Sequence, residues 1–166
     1  MITHKTSALA AAGVLLMLSA DLVWAQQRIE EAGMDIVVRD YQVSELEKGH
    51  VVTIPNETGV TITEDPSNPL HMTSIDCTGM FEEFPDGTYK GNGYCTNTDR
   101  EGDKIIFSWS ASSDMKGPRY EVAGGTGKFE GAKGEGTVTI IEVSPGPQGR
   151  QISQWKGWAE YPNVQK

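Results

Sequence analysis

The chain has 166 residues, which is the length of one domain. It carries 23 acidic and 14 basic residues, for a formal net charge of −9. Nucleic acids and anionic membrane surfaces are bound through Lys and Arg, so this balance argues against either as a partner.

Residues 1–25 have the parts of a cleavable secretory signal. A polar start with Lys5 leads into the apolar and small-residue run Ala8–Ala20, and a small residue, Ala25, precedes a polar segment. About 13 such residues are too few to cross a ~30 Å hydrocarbon core. We therefore expect cleavage after Ala25 and export to the periplasm or the cell exterior; a retained N-terminal anchor is the alternative. The mature chain, 26–166, is then one domain without a membrane span.

Alternating apolar and polar residues dominate the chain after the signal, and helical periodicity is nearly absent. The 19 glycines and eight prolines punctuate this pattern, which is typical of a β-barrel or a β-sandwich. Strands are predicted at 34–43, 49–54, 59–64, 71–84, 88–98, 104–113, 119–123, 135–143 and 150–161.

The best-defined hairpin turns at Phe84–Thr88, where a type I turn followed by a left-handed Gly87 gives a three-residue loop. This register places Cys77 opposite Cys95 at a non-hydrogen-bonded position, where Cα atoms lie ~4.5 Å apart and a disulfide can form. Export to an oxidising compartment favours the same bond, since a zinc site needs more thiols or nearby histidines.

This hairpin and the next place aromatic residues opposite glycines. Phe81 faces Gly91, and a second three-residue loop at Asp99–Asp103 sets Trp109 against Gly93. One face of these three strands is predicted to be buried, in a barrel lumen or a sandwich core: Ile75, Cys77, Phe81, Tyr89, Cys95, Ile105, Phe107 and Trp109.

The glycine-rich stretch 124–136 has two interpretations. A phosphate-binding loop requires Gly-Lys-Ser/Thr at the start of a helix, whereas Gly127 and Lys128 are followed by Phe129 and a strand. We favour a tight corner between strands, with Phe129 in the core. Its residues are Gly124, Gly125, Gly127, Phe129, Gly131 and Gly134.

Catalytic residues are sparse. His50 and His71 are best interpreted as surface strand residues, because no nucleophile motif accompanies them and both thiols are paired. If the next hairpin turns over 115–117, Ala111 faces Glu121 and places that carboxylate on the apolar face. Burial there would raise its pKa and allow Glu121 to act as a base.

No metal or cofactor site is predicted. Asp99, Glu101 and Asp103 cluster in one turn but lack the spacing of an EF-hand loop. A solvated acidic turn is therefore favoured over a weak calcium site.

The segment 122–134 carries the pattern Gly-Gly-Thr-Gly-x-Phe-x-x-Ala-x-Gly, and here the chain resembles the allene oxide cyclase and dirigent families. A looser pattern of Cys77, Gly93-Tyr94-Cys95 and Trp155-x-Gly157-Trp158 resembles small exported bacterial proteins. The resemblance implies a calycin-like, eight-stranded antiparallel barrel with an apolar lumen. It would imply cofactor-free steering of a fatty-acid-derived substrate or orientation of phenolic radicals.

These observations lead to three functional hypotheses. The first is binding of a small apolar molecule in the lumen, and the second is a cofactor-free isomerase or cyclase that uses Glu121. The third is a filled barrel that serves a structural or protein-binding role. The sequence gives no indication of oligomeric state. The candidate lining residues are Tyr89, Phe107, Trp109, Tyr120 and Phe129.

Overall fold

The computed structural model describes residues 28–144 and 149–164, so the predicted signal lies outside the described residues. Eight strands close in chain order into one antiparallel barrel, because the last strand pairs with the first. This confirms the predicted all-β barrel. In the described part of the chain, no helix is long and apolar enough to span a membrane. The strands are β1 (Ile29–Glu47), β2 (His50–Thr63), β3 (Thr73–Glu83), β4 (Tyr89–Thr98), β5 (Lys104–Ser112), β6 (Arg119–Gly125), β7 (Lys133–Ser144) and β8 (Arg150–Glu160).

The predicted segments 49–54 and 59–64 form one strand, β2, so the expected break between them is wrong. Pro55 lies inside this strand and pairs with Tyr41 of β1. Pairing with β3 skips the proline, which has no N–H to donate, and then resumes in the same register. The proline therefore interrupts one ladder without ending the strand.

Two hairpins confirm the predicted turns and registers. Cys77 opposes Cys95 with Cα atoms 4.0 Å apart, and the two cysteines form a disulfide. Gly87 and Gly102 have φ values of 80° and 91°, the left-handed conformation that each loop requires. The aromatic face of β3, β4 and β5 is consequently fixed toward the lumen.

The predicted register of the third hairpin is wrong. Glu121 of β6 opposes Ser108 of β5 rather than Ala111. The connecting segment spans 113–118, which is longer than the expected three-residue turn. The observed partner, Ser108, lies three residues from the expected Ala111. A register shift by an odd number of residues moves a side chain to the opposite face of the sheet, and Glu121 is exposed to solvent.

A hydrophobic cluster packs inside the barrel, and part of it also borders the internal cavity. The predicted corner contributes Phe129, which is fully buried within a 3₁₀ turn at Gly127–Phe129. Gly127 and Gly131 flank it with φ values of 55° and 76°, so this corner depends on the left-handed freedom of glycine. The cluster consists of Leu70, Ile105, Tyr120, Phe129, Ala132 and Trp155.

Candidate functional site

A cavity of about 130 Å³ lies inside the barrel and is lined by residues from all eight strands. For comparison, an engineered apolar cavity of about 150 Å³ binds benzene, so this space suits a molecule of roughly one ring. Ile140 lines the cavity and is 45% exposed, so the cavity approaches solvent beside β7.

Aromatic rings form much of the cavity wall, and glycines on neighbouring strands make room for them. Trp109 stacks on Phe81 with ring centroids 5.0 Å apart. The Trp109 ring occupies the space that a Cβ atom would need at Gly79 or Gly93. Similar contacts join Phe81 to Gly91, Tyr120 to Gly136 and Gly157, and Trp155 to Gly33.

Asp35 of β1 places a carboxyl group on this wall. It lies directly opposite Thr61 of β2, whose hydroxyl donates to Asp35 Oδ1 at 2.6 Å. Burial raises the pKa of Asp35 to about 6, although hydrogen bonds from Thr61 and the Trp155 side chain oppose the shift. A carboxyl with this pKa can exchange a proton near neutral pH.

A buried hydrogen-bond network holds Thr61 in position. Asn97, which is 2% exposed, donates to the Thr61 and Thr73 hydroxyls at 2.6 and 2.9 Å. The Thr73 hydroxyl in turn donates to the Leu70 carbonyl at 2.9 Å. The orientation of Asp35 therefore depends on side chains from β2, β3 and β4.

Two further carboxylates line the cavity. Burial raises the pKa of Glu57, and the charge of Arg39, directly opposite in β1, counteracts the rise. Burial also raises the pKa of Glu31, which accepts hydrogen bonds from Asn68 and Tyr161 at 2.8 and 2.9 Å. The wall therefore combines an apolar surface with three carboxyl groups.

Tyr120 adds an unpaired polar atom to this wall. The residue is only 9% exposed, and its hydroxyl has no hydrogen-bond partner among the described residues. Its ring makes edge contacts with Phe107 and Trp155 at centroid distances of 5.6 and 6.3 Å. Because burial disfavours the phenolate, the pKa of Tyr120 is raised and the hydroxyl stays protonated.

The predicted lining residues divide into two groups. Phe107, Trp109 and Tyr120 line the cavity. Phe129 is fully buried in the hydrophobic cluster instead, and Tyr89, at the start of β4, is 39% exposed and does not line the cavity. A strand's first residue has few neighbours to cover it, which explains the position of Tyr89.

Glu121 lies outside the lumen, and sequence reasoning missed the carboxylates that lie inside it. Asp35, Glu57 and Glu31 occupy the first two strands, which the hairpin registers did not reach. One available signal was Gly33, which shares a face with Asp35 and lies against Trp155, as other lumen glycines lie against aromatic rings.

The remaining polar candidates are paired away from the cavity. His50 contacts Glu82 at 2.8 Å, and His71 contacts the Thr63 hydroxyl at 2.9 Å. In the acidic turn, Asp99 pairs with Lys128 at 2.6 Å, so a side chain supplies the positive charge there. Within residues 28–144 and 149–164, no three His, Cys, Asp or Glu side chains converge to hold a metal ion.

Comparison with known proteins identifies the fold. No protein-family model matches the chain, and no curated protein sequence does either. The solved structure of the pterocarpan synthase dirigent protein GePTS1 matches with a TM-score of 0.51 and 12% identity, over 95% of this chain and 99% of that chain. That of the pterocarpan synthase dirigent protein PsPTS1 matches with a TM-score of 0.44 and 10% identity, over 81% and 94%. The chain therefore shares the eight-stranded barrel fold of the GePTS1 dirigent protein.

Proposed function

We propose that the barrel is a cofactor-free isomerase or cyclase that binds a small, mostly apolar molecule in its lumen. The observation that carries this proposal is Asp35, a carboxyl with a pKa of about 6 on the wall of an aromatic cavity. Such a group accepts a proton from the substrate at one position and returns it at another. This reaction changes bonding without consuming a cofactor.

The shape of the cavity supports the same proposal. Stacked and edge-packed rings give an apolar wall that holds a one-ring substrate and keeps water from the reacting carbon. Asn97 and Thr61 hold the carboxyl in one orientation, so little reorganisation is needed during reaction. An open space of about 130 Å³ argues against the hypothesis of a filled structural barrel.

The similarity in fold to a dirigent protein supports this activity by analogy. The matched structure of GePTS1 is named as a pterocarpan synthase dirigent protein. A pterocarpan has more rings than a cavity of this size encloses, so we propose a smaller substrate for this chain.

We further propose that the protein is exported. The Cys77–Cys95 disulfide is favoured in an oxidising compartment, and residues 1–25 have the composition of a signal. Mass spectrometry of protein recovered from outside the cytoplasm tests this proposal. The measured mass should match a chain that begins at Gln26 and lacks the two hydrogens lost on disulfide formation. A mass that matches the full chain with two free thiols would contradict export.

The activity can be tested with cyclohex-3-enone, a neutral one-ring ketone whose double bond moves into conjugation when a base transfers a proton. The conjugated product is followed by its ultraviolet absorbance. The wild-type protein should accelerate this isomerisation, and Asp35→Asn should reduce the rate about 100-fold, within the range of acid–base catalysis. The rate should rise with pH through about 6, as Asp35 loses its proton.

Asp76→Asn is the matched control for the same change of charge. Asp76 is exposed on the outer face of β3, so its substitution should leave the isomerisation rate unchanged. Equal rates for wild type and Asp35→Asn would contradict a catalytic role for Asp35.

A further inference from the structure

We propose that the lumen selects a positively charged ligand, an organic ammonium ion of about one ring, over neutral or anionic molecules of the same size. This inference rests on the proposed lumen site and names the class of molecule that fits it best. It follows from the charges on the wall, the aromatic faces and the unpaired Tyr120 hydroxyl.

The ionisable side chains on the cavity wall are all acidic. Glu31, Asp35 and Glu57 line the cavity, whereas no Lys, Arg or His side chain of the described residues does. Arg39 lies opposite Glu57 in the β1–β2 register, is buried on the same face of β1 as Asp35, and compensates the Glu57 carboxylate. The positive charge that Asp35 and Glu31 would need is therefore not provided by the lining residues.

The groups that donate to these two carboxyls are neutral. Asp35 receives hydrogen bonds from a threonine hydroxyl and the Trp155 side chain. Glu31 receives them from the Asn68 amide and the Tyr161 hydroxyl. A carboxylate offers about four acceptor positions, so Asp35 retains capacity on the side that faces the cavity. A ligand cation would supply both the missing charge and the missing donors.

The aromatic wall suits an organic cation. Trp109 and Phe81 stack at 5.0 Å, and the Phe107, Tyr120 and Trp155 rings also line the space. Aromatic faces attract cations, and most strongly in sites from which water is removed. A bare metal ion is much smaller than this cavity, whereas an ammonium group attached to a ring would fill it.

Tyr120 provides an independent indication that a ligand donor belongs here. Tyr120 lines the cavity, and its hydroxyl oxygen is buried beside Gly157, with no partner among the residues that the structure describes. Buried polar atoms are usually hydrogen-bonded, because an unpaired one is costly. A small rotation of the Tyr120 side chain toward the cavity would let this oxygen accept a hydrogen bond from a ligand ammonium group.

Isothermal titration calorimetry near neutral pH tests the proposal with three probes of equal size on wild-type protein: benzylamine, which is then a cation, benzyl alcohol and benzoate. We expect benzylammonium to bind at least about tenfold more tightly than benzyl alcohol, and benzoate not to bind. Asp35→Asn should remove most of the preference for the cation. Asp76→Asn, which changes the net charge equally on the outer face, should retain it.

The outcomes separate this inference from the proposed function. Equal affinity for benzylammonium and benzyl alcohol would overturn charge selection and leave the lumen site standing. Tighter binding of benzoate would also overturn it. If none of the three probes binds, both the charge selection and the lumen site are wrong. The comparison of probes uses wild-type protein, so it does not depend on the folding of a variant.

Discussion

Asp35 links the site to the stability of the fold. Its pKa is about 6 in the barrel against 3.8 in the unfolded chain, because burial penalises the charged form. Between these values the unfolded state releases its proton first, so rising pH favours unfolding. A shift of this size corresponds to about 3 kcal/mol of stability, present below about pH 4 and lost as the pH rises through about 6.

The amide side chain of the Asp35→Asn variant does not titrate, so this variant should not lose stability as the pH rises. Relative to wild type, the variant should gain about 3 kcal/mol between about pH 4 and pH 7. Urea unfolding at several pH values measures the difference directly, since the titrations of other groups largely cancel between the two proteins. If the difference in unfolding free energy between the two proteins stays constant with pH, folding does not raise the pKa of Asp35.

Asp35 also shows why the site could not be predicted from the sequence. In β1 the residues after Asp35 form an unbroken apolar run, Ile36-Val37-Val38, so alternation does not show which face of the strand is inward. Val37 is buried and shares the lumen face with Asp35, whereas Ile36 and Val38 are 42% and 55% exposed. Phe107 and Trp109 were predictable because their strands follow the ordinary alternation.

At the scale of the strand, the pairing of glycines with aromatic rings shapes the cavity. Gly79→Ala would place a Cβ atom against the Trp109 ring and the Asn92 carbonyl, so one of them must move. Overpacking of this kind costs roughly 1–3 kcal/mol. We expect a lower urea midpoint and altered tryptophan fluorescence, because Trp109 lies at the contact.

Gly124→Ala is the matched control for this substitution. A Cβ atom at Gly124 would have no heavy atom within 4 Å, and its φ is not positive. Its stability should stay within about 0.5 kcal/mol of wild type. A loss at Gly124 as large as that at Gly79 would remove the packing explanation.

The hairpins differ in how strongly their turn sequences determine the strand register. The β3–β4 and β4–β5 turns were predictable because a three-residue loop with a left-handed glycine fixes the register. The β5–β6 connection over 113–118 has no such constraint, since several loop lengths fit its Ser, Gly and Pro residues. The register error there moved Glu121 from the outer face to the lumen.

At the scale of the whole molecule, the barrel was predictable and its chemistry was not. Turn spacing indicated a series of antiparallel strands, and the resemblance carried by the corner at 124–134 implied that eight of them form a barrel; β1 closes on β8 as such a barrel requires. The acidic wall arises only on closure, which brings Asp35 beside Trp155, a residue far along the chain. No local pattern encodes that juxtaposition.

The central claim is that the lumen holds a proton-exchanging carboxyl that senses a bound ligand. An NMR titration of the Asp35 carboxyl carbon, with and without cyclohex-2-enone, tests it most directly. We predict a pKa of about 6 in the free protein. It should rise further when the neutral ring displaces water. A carboxyl that titrates near 3.8 and does not respond to the ligand would contradict the claim.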